Sequence, residues 1–243
     1  MNSVLEKLAT ALDAPPPWLL PYVPIARTVV AAAGSASVAG ALNAVATEAP
    51  VRFVDQSSLS LDEAYEAFIA RTGCVPTRDN LHDLFNGLVW LSYPQAKARL
   101  NRLQAKEISE RGITSSRGPL RDALTLFDEN AALMHAPAML VDALRRRDWR
   151  ALFIEHRDHW RSARVQLFGH ALLEKLMQPR KAITAHVWIV ENLSDEVVAS
   201  SIEPDRLVAK AFLPLPVLGV PGWCSANEAA EFYADAEVFR PLR

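Results

Sequence analysis

The sequence contains only two cysteines in 243 residues, Cys74 and Cys224. They lie far apart along the chain, and neither belongs to a paired CxxC or another metal-ligand spacing. A disulfide-stabilised fold or a zinc ribbon needs several cysteines at close spacing. We therefore expect two reduced thiols in a cytoplasmic protein.

An excess of basic charge is also missing from the sequence. Lys and Arg number 26 and Asp and Glu number 28, which gives a formal net charge of -2. A dedicated nucleic-acid-binding protein usually carries a basic excess, because it must neutralise phosphates. Nucleic acid is therefore a disfavoured partner, although the segment "RRRDWR" at residues 145–150 forms a local basic patch.

The sequence lacks long apolar runs and several common catalytic signatures. The first residues, "MNSVLEKLATALDAPPPW", do not show the basic and then apolar pattern of a secretory signal. The run from Thr28 to Ala46 is rich in Ala, Ser and Gly, which is weak for a bilayer span. We predict no transmembrane segment and interpret this run as a helix interrupted near Gly34 and Gly40. Neither a phosphate-binding loop nor a nucleophile elbow is present.

The composition is that of a folded globular protein. Half of the residues are hydrophobic and 22% are charged, and the chain is long enough to bury a substantial core. We predict one compact domain with three parts. Residues 1–50 are expected to form an N-terminal arm and an Ala-rich helix. Residues 51–213 would form a helical core domain, and residues 214–243 would form a proline-rich C-terminal wrap.

Hydrophobic periodicity predicts an α+β fold that is predominantly α-helical, with a small antiparallel sheet. The segments Val51–Gln56 and Ile183–Val190 are rich in β-branched residues and read as strands. Pro94 begins a helix that runs to about Glu110. Residues 119–134 fit either a helix or a hairpin that turns at Asn130, and the hairpin is favoured. The sheet is then expected from the segments near residues 51, 124 and 183.

The stretch "TRDNLHDLFNGLVW", Thr77–Trp90, places polar side chains along one side of a predicted helix. At about 100° per residue, the polar side carries Asp79, His82, Asp83, Asn86 and Trp90. Exposing a tryptophan is costly, so this side is expected to face protein or a cleft. We predict that His82 acts as a metal ligand or as a general acid or base oriented by Asp79 or Asp83, and that Asn86 and Trp90 bind substrate. The alternative is a structural network of hydrogen bonds.

The stretch "GHALLEKL" suggests a metal site. His170 and Glu174 are four residues apart and would project from the same face of a helix. His186 in "TAHVW" or an acid of "FDEN", Asp128 or Glu129, would supply a further ligand, and we predict His170, Glu174, His186 and Asp128 as the set. The metal would be divalent Zn, Mn or Mg. An ordinary surface contact between His170 and Glu174 is the alternative.

Two arginines stand directly before aspartates, Arg78 and Arg121. A guanidinium group recognises phosphate or carboxylate well, so Arg78 is predicted to bind substrate and Arg121 to assist catalysis. Salt bridges within the fold are the alternative role for both arginines.

Two functions remain open from these residues. The first is a metal-dependent hydrolase acting on a small molecule or another phosphate-bearing ligand, with a phosphoester as the expected substrate. The second is a non-catalytic helical interaction protein whose polar clusters are structural. The oligomeric state is left open.

Four separated blocks resemble one known family. They are "VPTRDNLHDLFNGLVWLSYPQAKARLN", "RGPLRDALTLFDENAALM", "LFGHALLEKL" and "PLPVLGVPGW". In this order they are similar to an uncharacterised bacterial family, domain of unknown function 3025, over Val51–Arg243. The family has a glycine after "DEN" where this chain has Ala131, which weakens the predicted hairpin turn after Asn130. The resemblance implies a proteobacterial cytosolic setting, and it implies no mechanism.

Overall fold

The computed structural model describes residues 2–32, 37–47, 49–112 and 118–242. The predicted interruption near Gly34 lies outside these residues. The α-helices of the described part are α1 (Ser3–Asp13), α2 (Val23–Ala32), α3 (Val38–Asn43), α4 (Tyr65–Thr72), α5 (Leu81–Ser92), α6 (Pro94–Arg111), α7 (Gly118–Asn130), α8 (Ala138–Arg146), α9 (His170–Lys175), α10 (Asp195–Ser201) and α11 (Pro204–Val208). The strands are β1 (Arg52–Asp55), β2 (Cys74–Thr77), β3 (Ala131–His135), β4 (Arg164–Leu167), β5 (Thr184–Ile189) and β6 (Leu213–Pro216).

The strands form two small sheets. β1 and β2 pair in parallel, and the larger sheet has the order β4-β3-β5-β6. Its central pair, β3 and β5, is parallel, whereas both outer pairs are antiparallel. The predicted α+β class is therefore confirmed, but the expectation of an antiparallel sheet is wrong. The segments near residues 51 and 183 were expected in the same sheet, but they belong to different sheets.

The predicted hairpin within residues 119–134 is wrong. Residues 118–130 form helix α7, and β3 follows directly at Ala131. Ala123, Leu124 and Phe127 keep helical spacing and are almost fully buried, so packing of this face stabilises the helix. A tight turn after Asn130 would favour glycine, and the chain has Ala131 there.

Other elements lie close to the predicted ones. β1, β5 and α6 coincide with their predicted segments within two residues. The sequence did not predict β4, a strand of only four residues. Gly73 ends α4 with a φ of 67°, a left-handed conformation that glycine adopts without strain.

Both ends of the chain contribute to the core. The hydroxyl of Tyr22 is buried and donates to the carbonyl of Leu167 at 2.6 Å. Near the C-terminus, Tyr233 and Phe239 are buried among other aromatic rings. The predicted boundary between residues 213 and 214 falls within β6.

The elements that carry the predicted site residues are neighbours in the fold. α9 packs against α5 and α7, and α6 packs against both α5 and α7. The searched residues include no helix that is both long and apolar enough to cross a membrane.

Candidate metal centre

The N-terminal end of α5 presents the first histidine. Asn80 caps the helix, because its side-chain oxygen accepts from the backbone N–H of Asp83 at 2.7 Å. The opposite face of α5 buries Leu84, Phe85 and Leu88, which fixes how the helix is rotated. His82 then lies in the first turn with 30% of its side chain exposed.

The C-terminal end of α7 presents two acids, Asp128 and Glu129. On a helix they are about 100° apart, and both line the same cavity. Gly169 precedes α9 and contacts the end of α7 closely, since an added Cβ would lie 2.5 Å from the carbonyl oxygen of Glu129. This close approach places His170, the first residue of α9, beside Glu129.

Three side chains from these helices converge on one point. The Nε2 atoms of His82 and His170 are 3.1 Å apart. Oε2 of Glu129 lies 3.4 Å from Nε2 of His170 and 3.9 Å from Nε2 of His82. Within the searched part of the chain, this is the group of three that could hold a metal ion.

Two further acids lie behind the histidines. Glu174 is next to His82, with 3.0 Å between its Oε2 and Nδ1 of the imidazole. Oδ2 of Asp128 is 4.0 Å from Nδ1 of His170. That Nδ1 atom is buried and has no hydrogen-bond partner among the described residues. Each imidazole therefore has one nitrogen at the convergence point and the other directed towards a carboxylate.

The environment sets the charge of these groups. Burial lowers the pKa of His170 to about 3, so its imidazole is neutral at pH 7. Burial, together with the adjacent Asp128 carboxylate, raises the pKa of Glu129 above its usual value. Burial opposes ionisation of Asp128, but the Lys97 ammonium and the two neighbouring imidazoles together offset it, and the pKa of Asp128 lies below its usual value.

Lys97 is the buried cation of this region, with 3% of its side chain exposed. Its Nζ donates to Oδ1 of Asp128 at 2.5 Å and to Oδ1 of Asn86 at 2.7 Å. The Asn86 amide in turn donates to the hydroxyl of Tyr65 at 3.0 Å. A charge as deeply buried as this ammonium must be paired, so the network fixes Asp128 in place.

A cavity of about 360 Å³ opens at the convergence point. Its walls carry mostly polar side chains, namely Gln56, Tyr65, Glu66, Arg78, His82, Asp83, Asn86, Gln104, Thr125, Asp128, Glu129 and His170, with Leu59. The volume is within the range of small-molecule sites, about 300–1,000 Å³.

Most of the predicted site residues meet at this cavity. His82, His170, Glu174 and Asp128 are brought together, with Glu129 between the imidazoles. Arg78, Asp83 and Asn86 line the wall. The Asp83 carboxylate is held by the backbone N–H and the guanidinium of Arg78 at 2.6–3.0 Å. Asp83 therefore has a structural partner.

Four predicted residues are placed elsewhere. Asp79 precedes α5 and accepts from the backbone N–H of Val38 at 2.7 Å, which ties the start of α3 to this segment. Trp90 is buried, and its ring faces the Lys97 ammonium. Arg121 is buried outside the cavity wall, and its Nε has no hydrogen-bond partner within the described ranges. His186 lines a different cavity, with its ring against Phe212.

Sequence reasoning missed Lys97, Tyr65 and Gln104. A signal for Lys97 was available, because Lys97, Leu100 and Gln104 follow helical spacing on the buried side of α6. A lysine within an apolar helical face requires a buried anion, which points to a nearby acid.

Comparison with known proteins identifies a family but no biochemical activity. A family model described as "Protein of unknown function (DUF3025)" matches residues 51–243. Searches of curated proteins and of solved structures give no significant match. The match covers most of the chain and includes every residue of the candidate site. The chain therefore belongs to this family of proteins of unknown function.

Proposed function

We propose that the chain is a metal-dependent hydrolase whose divalent cation is bound by His82, His170 and Glu129. The observation that carries the proposal is the set of mutual distances between their ligand atoms, 3.1, 3.4 and 3.9 Å. Around a tetrahedral metal with bonds of about 2.0–2.2 Å, two ligand atoms lie roughly 3.3–3.6 Å apart. The three side chains therefore need to move by only a few tenths of an ångström to bind one ion.

The hydrogen bonds of the two imidazoles support the same assignment. When Nδ1 of His82 donates to Glu174, its Nε2 carries the lone pair that a metal requires. Without a metal, and with both imidazoles neutral, Nε2 of His170 donates to that lone pair. Nδ1 of His170 then becomes a buried acceptor without a partner, at a cost of about 1–3 kcal/mol. A metal bound to Nε2 would leave the proton on Nδ1, where it would face the Asp128 carboxylate.

The donor set narrows the choice of ion. Two imidazoles and one carboxylate suit Zn²⁺ or Mn²⁺, whereas Mg²⁺ prefers oxygen ligands. Three protein ligands leave at least one coordination position for water, and a metal lowers the pKa of such water to generate a nucleophile near pH 7.

The cavity wall offers groups for a phosphoester substrate. Arg78 binds Asp83 through Nε and Nη2. Its Nη1 has no hydrogen-bond partner among the described residues, and 57% of the side chain is exposed. A phosphoryl oxygen could bind this guanidinium, and the same wall also carries the hydroxyl-bearing side chains of Tyr65 and Thr125.

The metal site is tested by titrating untagged protein with Zn²⁺ and Mn²⁺ and by measuring bound metal by mass spectrometry. We expect one ion per chain. His82→Ala and His170→Ala should weaken binding by at least about 100-fold, because each removes a ligand atom. His186→Ala, which removes a histidine of another cavity, is the matched control and should bind normally.

Equal binding by all three variants would rule out this metal centre.

Hydrolysis is then measured on metal-loaded protein with p-nitrophenyl phosphate and bis(p-nitrophenyl) phosphate. If the protein binds metal but cleaves neither ester, the phosphoester assignment is wrong. If the wild type binds no metal, the Glu174–His82–His170 contacts favour the structural alternative, a metal-free chain of hydrogen bonds.

A further inference from the structure

A second cavity lies against a different face of α7 from the candidate metal centre. Its volume is about 650 Å³, and it reaches Asp122 and Leu126 of that helix. The other apolar contributors to its wall are Pro119, Ala123, Phe212 and Pro214. Arg147, His186 and Lys210 provide polar groups. A concave apolar wall with a few polar groups is the usual form of a small-molecule site.

The two cations of this cavity share an unusual backbone conformation. Arg147 has a φ of 50° and Lys210 a φ of 51°, and they are the non-glycine residues with positive φ in the described part of the chain. Both occupy the same place in a helix-ending hydrogen-bond pattern, Arg147 one residue after α8 and Lys210 two residues after α11. The backbone N–H of Arg147 donates to the carbonyl of Leu144, and the backbone N–H of Asp148 donates to the carbonyl of Ala143. The same pattern follows α11, where the backbone N–H groups of Lys210 and Ala211 are the donors.

This helix-ending pattern is normally completed by glycine. A side chain in the left-handed region is strained, and such strain persists where the residue serves another purpose. The chain keeps a cation at both positions, and the two cations line the same cavity. Among the described residues, neither forms an ion pair. Both charges therefore remain available to a ligand.

The charge of the cavity narrows the class of ligand. Arg147 and Lys210 bring two positive charges, and Asp122 brings one negative charge. Burial lowers the pKa of His186, which keeps its imidazole neutral at pH 7. Its Nδ1 atom is buried and finds no hydrogen-bond partner in the part of the chain that the structure describes. The cavity thus has a net charge of about +1 beside an apolar wall.

We propose that this cavity binds a small organic carboxylate with an apolar body, whose carboxylate contacts Arg147 and Lys210 and whose body contacts Phe212 and Leu126. The negative charge of the carboxylate would neutralise the net positive charge of the cavity. The aromatic ring of Phe212 and the aliphatic wall would exclude water from the rest of the ligand. The proposal does not depend on the metal centre.

The probe for the test is 2-naphthoate, titrated calorimetrically into protein treated with a chelator so that no metal competes for the carboxylate. We expect one molecule per chain, with the neutral 2-naphthamide binding at least about tenfold more weakly, since it lacks the charge-assisted hydrogen bonds. 2-Naphthyl phosphate, a dianion, distinguishes a phosphate site from a carboxylate site.

The variants Arg147→Gly and Lys210→Gly separate ligand binding from folding. Glycine adopts positive φ without strain, so the melting temperature should stay the same or rise. Each variant should nevertheless bind 2-naphthoate about tenfold more weakly. Arg146→Ala, which removes the neighbouring exposed cation outside the cavity wall, should bind normally.

Three results would overturn the proposal. The first is no binding of 2-naphthoate at millimolar concentration. The second is wild-type affinity in both glycine variants. The third is binding of 2-naphthyl phosphate in preference to the carboxylate, which would assign the cavity to dianions.

Discussion

At the scale of single residues, metal binding at the candidate centre depends on which nitrogen of each imidazole carries no proton. His82 has its Nδ1 fixed by Glu174, and His170 is neutral because burial lowers its pKa to about 3. A neutral imidazole with a defined tautomer is the form that binds a metal. In the proposed metal centre, the outer carboxylates would therefore contribute to affinity in addition to the ligand atoms.

Glu174→Gln tests this role. The amide is nearly isosteric and can still accept through its oxygen, but it carries no charge to favour the Nδ1–H tautomer of His82. We expect metal affinity to fall by about 10–100-fold, as is typical of outer-shell substitutions. The measurement is competition for Zn²⁺ with a chromophoric chelator.

Glu196→Gln is the control for Glu174→Gln. It removes an acid from the first turn of α10, outside the cavity wall, and should leave metal affinity unchanged. If Glu174→Gln also bound metal as tightly as the wild type, Glu174 would have no part in orienting His82.

At the scale of elements, the site exists because short helices meet end to end. The start of α9 lies against the end of α7, and glycine at position 169 permits the contact. The helix α7 continues to Asn130, which places Asp128 and Glu129 on adjacent faces of its last turn. On a hairpin strand, neighbouring acids would have pointed to opposite sides.

Gly169→Ala tests the contact between α9 and α7. The new methyl group would meet the backbone of Glu129 and Asn130 at 2.5 Å, and a backbone cannot yield as a flexible side chain does. We expect a loss of about 1–3 kcal/mol in the free energy of unfolding, as for other overpacked sites. Metal affinity should fall as well, because His170 moves away from Glu129.

Gly219→Ala is the control for crowding. Its methyl group would meet the rings of Phe153 and Phe239 at 3.0–3.1 Å, away from the metal ligands. This variant should lose stability in chemical denaturation and keep normal metal affinity. Normal metal affinity in Gly169→Ala would show that the α9–α7 contact does not position His170.

At the scale of the whole molecule, the C-terminal segment contributes buried aromatic side chains to the core. Phe239 is 3% exposed and contacts the rings of Trp149, Phe153 and Tyr233. Aromatic pairs at these centroid separations add about 0.5–1.5 kcal/mol each beyond burial. The segment is therefore part of the folded core and not only a surface wrap.

Phe239→Ala should destabilise the protein by about 3–5 kcal/mol, because it leaves a cavity among these rings. For a chain of this size the melting temperature should fall by roughly 10 °C. The measurement is thermal unfolding followed by circular dichroism. Leu242→Ala, at a position that is 60% exposed, is the control and should change the free energy by less than about 0.5 kcal/mol.

Phe239→Ala also distinguishes two descriptions of residues 214–243, a part of the folded core and an external wrap. If it melted at the wild-type temperature, the C-terminal aromatic residues would not contribute to the cooperative core. The segment would then be an external wrap, as the proline content alone suggests.

The sequence by itself determined the local features. Periodicity predicted α6, the composition of Val51–Gln56 and Ile183–Val190 predicted β1 and β5, and the i, i+4 spacing placed His170 and Glu174 on one helix face. These depend on neighbours along the chain, whose geometry is fixed by the helix and strand periods.

The tertiary structure decided which distant residues share a cavity. His82, Glu129 and His170 come from three helices, and only their packing brings the ligand atoms within 4.8 Å. The same packing placed His186 beside Phe212 and Lys97 beside Asp128. Contacts between distant segments depend on how helix faces fit together, and one sequence read along its length carries no direct record of that fit.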